Sequence, residues 1–129
     1  MSDPGHLDEI LGEGRSLASL DFLEQLLDAA RIDVRTREVR LARVCLAKDP
    51  KELEGLLHGF IGCFSSLGWA RLVGLCQRER SLLRSGQFTH WETFAVRFHL
   101  LFESTAKEME QFLVERRKLA GAPAHVTAP

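Results

Sequence analysis

From Leu20 onward, apolar residues recur at helical intervals: Phe22, Leu23, Leu26, Leu27, Ala30, Val34, Leu41, Val44 and Cys45. Residues three and four apart share a helix face, so this spacing predicts one long helix running to about Ala47. Ser19 is placed to cap its start, with Asp21 in the first turn. The period loosens between Ile32 and Val39, where a kink or brief interruption would fall. Asp49-Pro50-Lys51-Glu52 then has the form of a helix start, with aspartate as the cap, proline first in the helix and glutamate third. The helix it opens carries Leu53, Leu56, Leu57, Phe60, Ile61 and Phe64, and Gly68 is able to close it in a left-handed cap.

A further helix follows, with Leu72, Val73, Leu75, Cys76, Leu82 and Leu83 inward and Arg71, Gln77, Arg78 and Arg80 outward; Ser85-Gly86 ends it. Thr89-His90-Trp91-Glu92 reads as a T-x-x-E capping box. The helix after it runs to about Leu119 on a stripe of Trp91, Phe94, Ala95, Phe98, Leu101, Phe102, Met109, Phe112 and Leu113. Ahead of these, Asp3-Pro4 with Leu7, Ile10 and Leu11 predicts a short helix from about Pro4 to Leu11, stopped by Gly12 and Gly14. Ala120 to Pro129 reads as a disordered tail. Strand alternation and internal repeats are missing. The expected fold is all-α: an antiparallel, up-down four-helix bundle over residues 19–119, with an additional short N-terminal helix in 1–18 and a tail from 120 to 129.

Composition narrows the class further. A chain of 129 residues, 45% hydrophobic and 27% charged, suits one soluble globular domain. A net charge of -1 exerts no overall pull on nucleic acid or an anionic membrane. Arg31, Arg35, Arg37, Arg40, Arg43 and Lys48 do gather locally, opposed only by Asp33 and Glu38; at helical spacing they form a solvated face or a partner-docking patch. Cys45, Cys63 and Cys76 make no C-x-x-C pair and sit among apolar residues, as buried reduced thiols of a cytoplasmic protein do. The N-terminus has no secretory signal, and the run from Gly55 to Ala70 is too short and too interrupted for a bilayer span. A cytoplasmic monomer without nucleic-acid or membrane partners is expected.

The candidate chemistry lies in Leu56 to Trp69, where His58 stands among Gly55, Gly59 and Gly62. A glycine inside a helix costs about 1 kcal/mol relative to alanine, so something other than helix stability selects these residues. His58 shares its face with Glu54, Gly55, Ile61, Gly62 and Ser65. Side chains lean toward the helix N-terminus, and the residue that would lean over His58 is Gly62, which covers nothing. Leu57, Phe60, Phe64 and Leu67 point elsewhere. The pattern predicts an exposed imidazole in a shallow, small-residue surface. Its plainer alternatives are a surface or core histidine without a role, and glycines that serve close helix packing.

This register resembles the histidine-containing phosphotransfer (HPt) domains of phosphorelays. Their pattern has a glycine four residues after the histidine, small residues next and a glycine ten on, then an aliphatic residue at fourteen and often a cysteine at eighteen. Here stand His58, Gly62, Ser65, Ser66, Gly68, Leu72 and Cys76. The lead-in Ala47-Lys48-Asp49-Pro50-Lys51-Glu52-Leu53 is similar to the family's turn into that helix, and helix order and lengths agree from about residue 19 to 115. The resemblance implies a phosphocarrier. Nε2 of His58 would take phosphate from a receiver-domain aspartate and pass it to another receiver domain. Response-regulator receivers are the implied partners, with a hybrid histidine kinase as a further candidate. Gly55, Gly59, Ile61, Gly62, Ser65 and Trp69 would form the docking surface, Gly59 also adding flexibility. No cofactor belongs to the chain itself: the receiver would bring Mg²⁺, and the sequence has no Gly-rich phosphate loop. The start methionine, without a kinase or receiver domain behind it, leads to the expectation of a free-standing carrier.

One departure stands out. The family usually has lysine or arginine three after the histidine, near the phosphoryl group, and this chain has Ile61. Loss of that cation should slow transfer or weaken the phosphohistidine. Among Arg71, Arg78, Arg80 and Arg84 on the next helix, Arg80 and Arg84 are the better replacements, against plain solvent exposure. Two other functions compete. One is a catalytically weak or inactive adaptor of the same fold that binds a receiver or a histidine kinase; the other is an unrelated bundle with an incidental histidine. A metal site is not expected, since His90 and His99 are nine apart with no H-x-x-x-H pair. Cys63 points off the face of His58, and Trp69 and Trp91 read as core anchors, Trp69 doubling as a candidate docking anchor.

Overall fold

The computed structural model describes residues 17–121, with side chains from Ser19 on. The expected helix at Pro4–Leu11 and most of the expected tail lie outside the described residues. Four helices make up the rest: α1 (Leu17–Ala47), α2 (Pro50–Leu67), α3 (Ala70–Arg84) and α4 (Phe94–Leu119). The described residues hold no strand. Each helix packs on its neighbours round a ring, α1 on α2, α2 on α3, α3 on α4 and α4 on α1, and the α3–α4 contact is the slightest. Polar side-chain pairs show the antiparallel run of α1 and α4: Asp21 meets Arg117, Arg31 meets Glu110 and Glu38 meets His99. The all-α four-helix bundle is therefore the fold.

α1 is unbroken for 31 residues. The loosened period produces no interruption; it leaves Ile32 and Val39 exposed on the outer face. The helix already runs at Leu17, so Ser19 lies inside it and does not cap it. Its far end turns through Lys48, the one non-glycine residue with positive φ (53°) among those described. Asp49 then caps α2 as its sequence foretells, its carboxylate accepting from the Glu52 N–H at 3.2 Å, with Pro50 in the first turn. Gly68 ends α2 in the left-handed conformation, φ 71°, its N–H donating to the Ser65 carbonyl while that of Trp69 donates to Phe64.

The start of α4 differs from expectation. The T-x-x-E box does not form: 91–93 make a turn, α4 begins at Phe94, and Thr93 gives no side-chain cap. The physical reason is His90. Its ring is drawn to the buried Glu79 of α3, and its carbonyl accepts the N–H groups of Thr93 and Phe94 instead. Phe88 lies against His90, Trp91 and Phe94 and holds this turn down.

The centre of the bundle is aromatic. Phe60 and Phe98 approach to 4.5 Å between ring centres, and Trp69 lies against both Phe64 and Phe102. Val73, Leu82 and Leu83 are only half-buried, packed on the edge of this core. No helix among the described residues is long and apolar enough to cross a membrane.

Candidate functional site

His58 lies on the outer flank of α2, exposed, and makes no hydrogen bond or ion pair among the described residues. The apolar residues of α2 that would otherwise crowd it are turned inward: Leu57, Phe60, Phe64 and Leu67 are buried. Gly55 and Gly62, three before and four after, are exposed, and a Cβ built on either would meet nothing within 4 Å. Neither glycine serves close packing within this fold. Ser65 is exposed on the same flank, and the Ser66 hydroxyl donates to the Gly62 carbonyl at 3.2 Å. Ile61 is half-buried with its side chain packed against the core. It replaces a cation with a packing residue.

Two of the expected docking residues are corrected. Trp69 is fully buried, because the left-handed turn at Gly68 swings its indole under the α2–α3 corner onto Phe64 and Phe102. It anchors the core and offers no docking surface. Gly59 is no open surface either. A Cβ there would run into Nη1 of Arg37, so the glycine is the seat on which an α1 guanidinium rests. Arg37 also receives Asp33, its Nε donating at 3.2 Å, and lies 5.8 Å from the centre of the Phe60 ring.

Arg80 and Arg84 do reach the flank of His58, but their charge is engaged. Both meet one oxygen of Glu54, Arg84 through Nε at 2.5 Å and Arg80 through Nη2 at 3.4 Å. This draws Arg80, which the periodicity places outward, into a half-buried position. Hydrogen bonding from Arg84, then its charge and the contacts of Arg80, hold the Glu54 carboxyl below the usual carboxylate range. Glu54 stands one turn before His58 on the shared face. A carboxylate and two arginines thus border the histidine on the α3 side, and Arg37 sits on the α1 side of the next residue. Arg71 and Arg78 are not part of this group; they turn to the opposite flank of α3, toward α4.

All three thiols are pushed away from the thiolate form. Burial pushes Cys45 up; burial and then the charge of Asp33 push Cys63 up. Cys76 is pushed up to about 12 by burial and then by Glu79. No group of three or more His, Cys, Asp and Glu side chains able to hold a metal comes together among the described residues.

Sequence reasoning missed Arg37, the engagement of Glu54 and the buried Glu79. Each left a signal. Asp33 and Arg37 are four apart on α1, Glu54 is four before His58, and Glu79 falls three after Cys76 on the apolar stripe of α3. No family model, curated protein or solved structure matches the chain.

Proposed function

We propose that the protein is a histidine phosphotransfer carrier of a cytoplasmic phosphorelay, with His58 as the phosphoryl acceptor. One observation carries the reading: an exposed, unpartnered imidazole flanked by two glycines over which a side chain would meet nothing. Helical glycines in open space weaken the fold and gain it no contact, so they serve something that approaches from outside. An incoming receiver domain must bring its aspartyl phosphate in line with the imidazole, and flat flanks permit that approach. The register from His58 through Gly62 and Gly68 to Cys76 supports the same reading.

In the reaction the Nε2 lone pair of His58 attacks phosphorus. A P–N bond forms as the P–O bond to the aspartate breaks, and the electron pair leaves on the aspartate carboxylate. Attack by the carboxylate of a second receiver reverses these events, so the imidazole is returned unchanged. The receiver supplies Mg²⁺ and most of the charge stabilisation. With Ile61 in place of a basic residue, the cations that this reading has near the histidine turn are Arg37, beside Gly59, and Arg80 and Arg84, which meet Glu54 one turn before His58.

The test is transfer from a panel of phosphorylated receivers. Acid-labile label is expected on the wild type and none on His58→Gln; equal labelling of the variant refutes the assignment. A second reading, an adaptor that binds a receiver or kinase without accepting phosphate, is favoured by Ile61 and by the engagement of Arg80 and Arg84 with Glu54. Receiver binding that survives His58→Gln, with no label on either protein, would select it.

A further inference from the structure

We propose that the groove between α3 and α4 docks an acidic amphipathic helix of a partner protein, on a surface separate from that of His58. The two helices make the slightest of the four contacts between neighbouring helices round the ring and leave an open groove of about 560 Å³ between them. Arg71 and Arg78 of α3 and Arg97 of α4 line it, over a floor that includes Leu75 and Leu101.

The arginines are the first ground. Arg31, Arg37, Arg40, Arg80, Arg84 and Arg117 each meet a carboxylate. Arg71, Arg78 and Arg97 are exposed and meet none among the described residues; Arg35 and Arg43 on α1 are also exposed and unpaired, but only these three converge on one groove, in a chain whose net charge is -1. Arg71 is moreover in the first turn of α3, where the helix dipole disfavours a cation. Three unneutralised guanidiniums on one groove call for an anionic ligand.

The second ground is the apolar surface between them. Leu75 is buried and Leu101 half-buried, while Leu100 on the rim is 62% exposed. Gly74 lies between the α3 arginines, and a Cβ on it would meet nothing within 4 Å, so the groove is open at its middle. A polyphosphate or nucleic-acid backbone has no use for the leucines, whereas a helix carrying both acidic and apolar residues matches both features. Arg71 and Arg78 are seven residues apart, two helical turns or about 10.5 Å along the axis. Acidic residues seven apart on the partner helix, with an apolar residue between them, reproduce that spacing.

The groove and the His58 surface lie on opposite flanks of α3. Arg80 and Arg84 face α2, and Arg71, Leu75 and Arg78 face α4. A partner held in the groove leaves the imidazole uncovered, so the inference does not depend on the phosphotransfer reading.

The test uses the isotope-labelled full chain and a synthetic helical peptide with glutamates seven apart and leucine between them on one face. Its control is a scrambled peptide of the same composition. Chemical-shift changes are expected at Arg71, Gly74, Arg78, Arg97 and Leu100. Arg78→Glu and Arg97→Glu should each weaken binding by about tenfold or more, as reversal of an interface charge does. Arg35→Glu, at an exposed and unpaired arginine on α1, and His58→Gln should leave affinity unchanged. Shift changes centred elsewhere, equal binding of the scrambled peptide, or insensitivity to the two charge reversals overturns the proposal. So does a DNA duplex or an anionic phospholipid vesicle that occupies the groove where the peptide does not.

Discussion

At the scale of single residues, Glu54 sets the electrostatics of the histidine. Its carboxylate shares a face with His58 and engages both arginines that, on the proposed phosphotransfer reading, would be free to meet an arriving phosphoryl group. Replacing it with glutamine removes a charge that repels the phosphoryl dianion and frees two guanidiniums to attract it. Glu54→Gln is expected to accelerate receiver-to-His58 transfer, by up to about tenfold. Unchanged or slower transfer in a stopped time course would show that neither arginine reaches the phosphoryl group. The same residue carries a pH dependence. Its folded-state carboxyl is held below its ordinary value by Arg84 and Arg80, so its stabilising effect is present above that ordinary value and is lost as pH falls through the lowered one. The melting-temperature difference between wild type and Glu54→Gln should persist at neutral pH and vanish in acid, below the usual carboxylate range.

At the scale of the helix, the two open glycines oppose stability to access. Gly55→Ala and Gly62→Ala each fill empty space on α2, so each should stabilise the bundle by about 1 kcal/mol, read from denaturant midpoints at constant slope. If His58 accepts phosphate as proposed, lysine or glutamine at residue 62 should keep most of that gain yet suppress transfer, by standing where a receiver would approach. A variant that is stabilised and still transfers at the wild-type rate would deny the glycine its role. Gly59 belongs to another class, because the Arg37 guanidinium occupies the space a methyl group would take. The difference explains what could be read in advance. The three glycines look alike in a one-dimensional register, and only the packing of α1 on α2 separates two open positions from a seat. Signals confined to one turn were legible for the same reason: Asp49-Pro50 and Gly68 act through their own backbone, and both ends of α2 fall where the sequence places them. Thr89-His90-Trp91-Glu92 has the same local form, but a contact eleven residues away in sequence overrides it. Trp69 is buried because of the direction in which a turn sends it, which helical periodicity cannot encode.

At the scale of the whole molecule, the bundle is held unevenly. α2 and α3 share an apolar seam and the Glu54 ion pairs, and α1 and α4 are tied along their length by Asp21–Arg117, Arg31–Glu110 and Glu38–His99. Between α3 and α4 the contact is slight, and the Glu79–His90 pair joins α3 to the turn that leads into α4, with His90 Nε2 2.7 Å from a carboxylate oxygen. Glu79 is 2% exposed, and His90 is the polar partner it is given. A buried carboxylate deprived of its partner is left with its full desolvation penalty. His90→Ala should therefore destabilise the fold by about 2–3 kcal/mol. His90→Gln, which still presents an N–H donor, should lose less. Removing both partners with Glu79→Leu and His90→Ala together should lose less than His90→Ala alone, since no buried carboxylate then remains. Denaturant titration of the wild type, His90→Ala, His90→Gln, Glu79→Leu and the double variant decides the matter: additive losses of the two single variants, or a His90→Ala loss within experimental scatter of zero, would mean that Glu79 is hydrated in the native state and that the turn at 91–93 is held by Phe88, Trp91 and Phe94 alone.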